Sequence, residues 1–283
     1  MKFFYSFLFL LVFLLFISSK PANTELSTRE IISHMLDSIR KIKTQRFDLK
    51  STERVNGHFL FAESRIKINE TPKKIYFKSP KKGVELLWVE GENNSEVIVH
   101  SKSVPLMNFN LDPYGSIIRK DQHHTIFDLG IPKIGITIAN TIINAPKDFD
   151  KHFKNAGTIT WNKKECHQII IEYPDYTYIE YIAKKGETVT SIADKLNTSD
   201  FKIRYKNNLS SYFGSIKEGK KLLIPVPYSN KGIIYIEKAT MLPIHVKVYD
   251  DEGLFESYEY YNVQINTVFA SNEFSKKFNG YGF

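Results

Sequence analysis

The sequence predicts an α+β fold: a curved antiparallel sheet laid over helices, interrupted late in the chain by a small βααβ module. Three observations carry this. RFDLKSTERV, GHFLFAESRIKINE, KKIYFKSP and VELLWVEG alternate apolar and polar residues between turn signals, as half-buried strands do. An amphipathic helix precedes them. KKGETVTSIADKLNTSDFKIRYKNNL (Lys184 to Leu209) then breaks a later run of strands for two short helices, and the alternation resumes at Gly232. Of 283 residues, 42% are hydrophobic and 14% aromatic, which allows a sizeable core and argues against wholesale disorder.

The elements follow in order. Met1-Lys2 leads into FFYSFLFLLVFLLFISS (Phe3 to Ser19), then Lys20, Pro21 and a polar stretch. A short charged start, an apolar run and small residues read as a secretory signal over residues 1–22, with cleavage expected after Ser19 or Ala22. An uncleaved anchor is the alternative, although the run is slightly short for a full span. No Cys follows it, so a lipid-modified N-terminus is not indicated. The expected location is outside the inner membrane, in the periplasm or cell envelope.

TELSTREIISHMLDSIRKI (Thr24 to Ile42) places Ile31, Ile32, Met35, Leu36, Ile39 and Ile42 on one helical face, with Ser27 or Thr28 as cap. Turns are expected at Asn56–Gly57, Ser79 to Gly83 and Glu90 to Glu96. EVIVHSK and LMNFNLDP continue the ladder. Tyr114 to Ala145 is less regular, with a helix expected near Ile134–Ile143 and HFKNA read as the end of another. Thr158 to Pro174 reads as a hairpin turning at Asn162–Lys164, and Gly232 to Asn266 as three strands. The sheet would bury the first helix's apolar face, as an incomplete barrel does.

Within the interruption, Tyr181–Ala183 is a short strand and Thr188 a good N-cap. Val189, Ile192, Ala193 and Leu196 follow at helical spacing. Thr198 or Ser199 caps a second helix, and Gly214 to Pro225 is a turn and a closing strand. The two strands of such a unit pair antiparallel, so its ends lie together and it can be grafted into a hairpin.

These residues resemble the LysM domain. The match runs through Y-x-A-K-K-G-E-T-V-x-x-I-A (Tyr181 to Ala193), TS (Thr198–Ser199), I-x-x-x-N-N-L (Ile203 to Leu209) and I-K-E-G-K-K-L-L-I-P (Ile216 to Pro225). The resemblance implies binding of N-acetylglucosamine glycans such as peptidoglycan. It implies a groove formed by Gly186, Glu187, Thr188 and Val189 on one side and Asn208, Leu209 and Ile216 on the other. The chain departs from the usual pattern, which has Asp at Glu187, Leu at Val189 and an apolar residue at Lys206. Gly186, Ile192, Ala193 and Ile224 serve as scaffold whatever the module binds.

The outer chain resembles the DUF1571 family on KKIYFKSPKKGVELLWVEGENNSEVIVH, LDPYG and EKATMLPIHVKVYDDEGLFESYEYYNVQIN, over roughly residues 26–178 and 228–275. That family is similar to the LolA/LolB-like lipoprotein carriers, which implies a half-barrel closed by helices around an apolar cavity that handles acyl chains. The expected division is a discontinuous LolA-like domain at 23–178 and 228–283, with a LysM domain at 179–227.

The function expected is non-catalytic binding in the cell envelope, with peptidoglycan at the LysM groove and a lipid or lipoprotein in the half-barrel. An adaptor that binds another protein through a filled sheet is the alternative. Net charge +8 suits an anionic polymer or a membrane surface, so peripheral membrane contact stays open. No helix carries a basic stripe, which argues against nucleic acid. Cys166 is the single cysteine, and in a strand His167 would face the other way, so the pair is a poor nucleophile and base. His123–His124 with Asp121 and Asp128 forms the best polar cluster, read as a solvated loop. An envelope hydrolase would need a cleft where those histidines meet an acid. No cofactor or metal is expected. Trp88, Trp161, Tyr258, Tyr260 and Tyr261 are read as core or rim residues.

Overall fold

The computed structural model describes residues 25–209 and 214–283. The expected leader lies outside the described residues.

Helix α1 (Thr28–Arg40) begins with a reciprocal cap: Glu30 N donates to Ser27 Oγ at 3.3 Å, and Ser27 N donates to Glu30 Oε2 at 2.9 Å. Its buried face is Ile31, Ile32, Met35 and Ile39. Strands β1 (Thr44–Val55), β2 (His58–Asn69), β3 (Lys74–Ser79), β4 (Val84–Val89), β5 (Val97–Ser101) and β6 (Asn108–Leu111) run as a meander. Helices α2 (Ser116–Arg119) and α3 (Ile131–Asn144) lie in the irregular stretch, and α4 (Phe149–His152) follows it. HFKNA is mostly strand: β7 (Phe153–Trp161) starts inside it and pairs with β8 (Lys164–Glu172). The interruption follows as β9 (Thr177–Ile182), α5 (Val189–Leu196), α6 (Asp200–Lys206) and β10 (Lys221–Val226). β11 (Lys231–Glu237), β12 (Leu242–Asp250) and β13 (Gly253–Ile265) end the ladder.

Eleven strands form one open antiparallel sheet in the order β6-β5-β4-β3-β2-β1-β13-β12-β11-β8-β7. The last strand lies beside the first, with Glu53 opposite Glu256. Side chains from β1, β2, β8, β11, β12 and β13 converge on α1, α3 and α4 in one core that includes Phe47, Ile68, Ile169 and Ile236. Helix α3 crosses α1 at Gly135, where a Cβ would lie 2.9 Å from Ile39 Cγ2, so only hydrogen fits without displacement.

Two features were not read from the sequence. The stretch Thr125–Leu129 packs Ile126 and Phe127 against Ile75, Val97 and Val99. The C-terminal residues 267–283 form a strap over the other face of β3 and β4. Tyr281 stacks on Tyr76 at 3.7 Å, and buried Glu273 binds Arg46 and Lys67 at 2.9 and 2.7 Å.

The insert leaves and re-enters at paired positions. Glu172 of β8 faces Lys231 of β11, and Tyr173 N donates to Asn230 O at 2.7 Å. β9 and β10 form their own two-stranded sheet, and the insert keeps its own core of Val189, Ile192, Ile203, Leu222 and Ile224.

Candidate functional site

The turn from β9 into α5 is held from within the module. Glu187 accepts from Lys184 N at 2.8 Å, from Tyr181 Oη at 2.7 Å and from Lys195 Nζ at 3.3 Å. The backbone N–H of Lys184 beside it, with Tyr181 and Lys195, holds its carboxyl below the usual range. Gly186 sits at φ +80° with open space where a Cβ would be. Thr188 caps α5: Ser191 N donates to its Oγ1 at 3.1 Å, and its own N–H donates to Ser191 Oγ at 2.9 Å. The second wall is tied to the first, since Ile216 N donates to Glu187 O at 2.7 Å and Thr188 bridges Ser215.

The predicted groove residues therefore divide. Gly186 and Asn208 are exposed, and Glu187, Thr188 and Ile216 are half-buried. Val189 (0%) and Leu209 (8%) point into the module's core, so a ligand meets their backbone or edges rather than their full side chains. Residues 210–213, between the two parts of the second wall, lie outside the described residues.

The opposite side of the module is buried against the large sheet. Phe201 of α6 is 2% exposed and packs with Val55, Val248 and Phe255. Its ring centroid lies 4.2 Å from that of His123. Lys202 Nζ donates to Tyr228 O at 2.8 Å and lies 3.7 Å from Asp250, which also receives Arg54 at 2.6 and 2.7 Å. Burial pushes the Lys202 ammonium down to about 8 against the pull of Asp250. Asp200 pairs with Arg119 of α2 at 3.1 Å. Asn197 donates to Thr141 of α3 at 3.3 Å.

Beneath Phe201 lies a polar network. His123 Nδ1 and His124 Nε2 reach Glu256 Oε2 at 2.9 and 3.1 Å. Tyr228 Oη donates to Glu256 Oε1 at 2.8 Å, and Tyr258 Oη donates to Glu53 at 2.6 Å. His123 N donates to Glu53 Oε2 at 3.1 Å, and the ring's Nε2 faces Arg54 O at 3.0 Å. Burial alone would raise the Glu256 carboxyl, but His124 and His123 hold it well below its usual range. Burial alone would lower His124, but Glu256, Asp128 and Glu53 push it up to about 9. Asp128 is half-buried, which alone would raise it, but His124 and Lys133 bring it down to about 2.

The solvated-loop reading of His123–His124 is corrected here: His123 is 1% exposed and locked by carboxylates from β1 and β13. The convergence that a hydrolase would need exists, but under Phe201 and Phe255 rather than in a cleft. Among the described residues no group of His, Cys, Asp and Glu is arranged to hold a metal ion. Cys166 is fully buried, and no helix among the described residues is long and apolar enough to cross a membrane. Sequence reasoning missed Glu53 and Glu256, which become neighbours only through the β1–β13 register.

A family model described as a protein of unknown function, DUF1571, matches residues 42–186, just over half of the chain. The chain belongs to the DUF1571 family. A LysM model matches residues 181–225, overlapping the end of that match. This DUF1571 protein thus carries a LysM domain, and β11 to β13 beyond it complete the same sheet. No curated protein matches the chain. Among solved structures, the MucA/MucB complex of Pseudomonas aeruginosa is similar at 10% identity and TM-score 0.40, covering 87% of this chain and 60% of that one. The chain thus spans about three fifths of the length of that MucB-complex protein. The Mycobacterium tuberculosis lipoprotein LppX is similar at 10% identity and TM-score 0.38, over 86% of this chain and 97% of that one. LprF from Mycobacterium bovis is similar at 9% and 0.41, over 87% and 96%.

Proposed function

We propose that this is a non-catalytic binding protein of the cell envelope that grips an N-acetylglucosamine glycan of the peptidoglycan type at the LysM rim. The carrying observation is the module's orientation. The face built from Asp200, Phe201 and Lys202 is buried on the large sheet, while Gly186 and Asn208 on the rim are open to solvent. Turn amides and short polar side chains there suit acetamido groups, and Ile216 offers an apolar edge to a sugar face. Discontinuous domains at 23–178 and 228–283, with the LysM unit at 179–227, fit this reading, as does an export leader at 1–22.

For the large sheet, the specific observation favours the adaptor reading over the carrier reading. Helices α1 and α3 fill the face that a lipid or lipoprotein acyl chain would occupy, with Ile31, Met35, Ile131 and Ile138 all buried there. A carrier of acyl chains would have to lift α3 first.

Co-sedimentation with purified peptidoglycan tests the rim. Gly186→Trp places a bulky side chain over it, at a backbone strain cost of roughly 1–2 kcal/mol in the left-handed region. The variant is expected to lose pelleting while keeping the parent's circular dichroism. Failure of the folded parent to pellet refutes the glycan reading and leaves the module as scaffold.

A further inference from the structure

We infer that one end of the large sheet docks on an anionic lipid surface, with Phe61, Leu106 and Met107 entering the acyl boundary and Lys81, Lys82 and Lys102 meeting headgroup phosphates. The strand registers bring three segments to that end: the β1–β2 turn beyond the Val55–His58 pair, the β3–β4 turn beyond Ser79–Val84, and the β5–β6 loop beyond Val84–Ser101. They touch one another. Lys81 Nζ lies 3.1 Å from Glu63 of β2, and Lys102 N donates to Gly83 O at 2.8 Å.

Their apolar side chains are unusually open. Phe61 is 75% exposed, Leu106 96% and Met107 58%. Val104, Pro105, Leu106 and Met107 make four consecutive exposed apolar residues, a run with no folding benefit in water. The charge says what covers them. Lys81, Lys82 and Lys102 are all exposed, Glu63 already faces Lys81, and in the β12–β13 turn at the same end Glu252 faces Arg54 at 3.6 Å and Asp251 accepts from Tyr178 at 3.1 Å. Apolar tips set among lysines match an interface whose phosphates lie just above its acyl chains. A protein groove complementary to the same tips would need acids, and the adjoining edge of β2, unpaired beyond Arg65, would offer it a strand. The lysine excess on the β3–β4 turn and the β5–β6 loop favours the lipid. This surface uses none of the glycan-rim residues.

The test uses protein purified from the envelope of cells expressing the full chain. Cys166 is fully buried, so Leu106→Cys takes an environment-sensitive fluorophore selectively. Ala239→Cys, in the exposed β11–β12 turn at the sheet's other end, is the control. On phosphatidylglycerol–phosphatidylcholine vesicles, emission at position 106 is expected to shift to the blue and resist an aqueous quencher, with no change at 239 and none on phosphatidylcholine alone. Lysines near an anionic surface contribute about 5-fold each, so Lys81→Ala, Lys82→Ala and Lys102→Ala together are expected to weaken partitioning on the order of 100-fold. No shift at 106, equal shifts at both positions, or full partitioning by the triple variant overturns the inference. So does a vesicle-independent shift that rises with protein concentration as the mass doubles, which would make a second copy the occupant.

Discussion

Replacing Phe201 by Ala should loosen the LysM module from the sheet without unfolding the module. Phe201 lies outside the module's own core, which is built from Val189, Ile192, Ile203, Leu222 and Ile224. It belongs instead to the cluster with Val55, Val248 and Phe255 and lies against the His123 ring at 4.2 Å. Truncating a buried Phe costs roughly 3–5 kcal/mol, the transfer loss plus the cavity left behind. The lower figure is the better one here, because the junction opens to solvent at Tyr205 and can relax. For a chain of this size, ~3 kcal/mol corresponds to a fall in melting temperature of about 6–12 °C if unfolding is two-state. Both tryptophans, Trp88 and Trp161, lie in the large sheet, so their fluorescence in urea reports that part alone. Hydrogen exchange of the α5 and α6 amides reports the module. The expected result is lowered sheet stability with faster exchange in α6 and continued protection of the β9–β10 ladder. Sheet stability within ~1 kcal/mol of the parent, or loss of β9–β10 protection, would refute the idea of an autonomous module held by this contact.

Three further outcomes follow from the same packing. Glu256→Gln leaves His123, His124, Tyr228 and Tyr258 without their shared anion, and breaking a buried pair of this kind costs roughly 3–5 kcal/mol; urea titration at pH 7 measures it. Gly135→Ala drives a methyl to within 2.9 Å of Ile39 Cγ2, so a loss of roughly 1–3 kcal/mol from overpacking is expected and Ile39→Leu, which lacks that Cγ2 methyl, in the same chain should recover part of it. Stability should fall between about pH 6.5 and 8: His124 is raised to about 9, so its contribution is whole below its unfolded value of about 6.5 and is lost as pH rises toward 9. Lys202, lowered to about 8, acts with the opposite sign above that pH, so the curve should flatten there, and a Lys202→Met variant should keep falling to pH 9.

The repeating parts of this fold were legible because each carries a local period. Alternation located the strands, and the i, i+3, i+4 pattern located α1 and α5. The LysM module was legible for a different reason: Thr188, Gly186 and Asn208 are turn and cap residues whose spacing is fixed by a short βααβ unit. The polar junction was not legible. Glu53 and Glu256 lie about two hundred positions apart, and nothing local marks them as partners until β13 pairs with β1. His123 and His124 were noticed, but a loop of histidines and aspartates looks solvated unless its cover is known, and that cover is Phe201 from the inserted module. The strap at 267–283 was missed because Tyr281 and Phe283 follow no strand or helix period; they are held by stacking on Tyr76 and by the Glu273 ion pairs.

The junction changes what a LysM insertion can do. A module entering and leaving at the paired residues Glu172 and Lys231 hangs from one point of the sheet, and on such a hinge alone it would sample many orientations. Asp200, Phe201 and Lys202 remove that freedom with one buried ring and two buried or half-buried ion pairs. The ordering cost is met once, during folding, instead of at each encounter with a ligand. A glycan held at Gly186 and Asn208 therefore fixes the orientation of the sheet as well as its position. Whatever the sheet's other surfaces bind then becomes a tethered partner at high effective concentration, an advantage that a flexible linker of the same length gives less strongly. Phe201→Ala separates the two contributions: it should leave glycan affinity near the parent's while weakening simultaneous attachment to glycan and lipid vesicles.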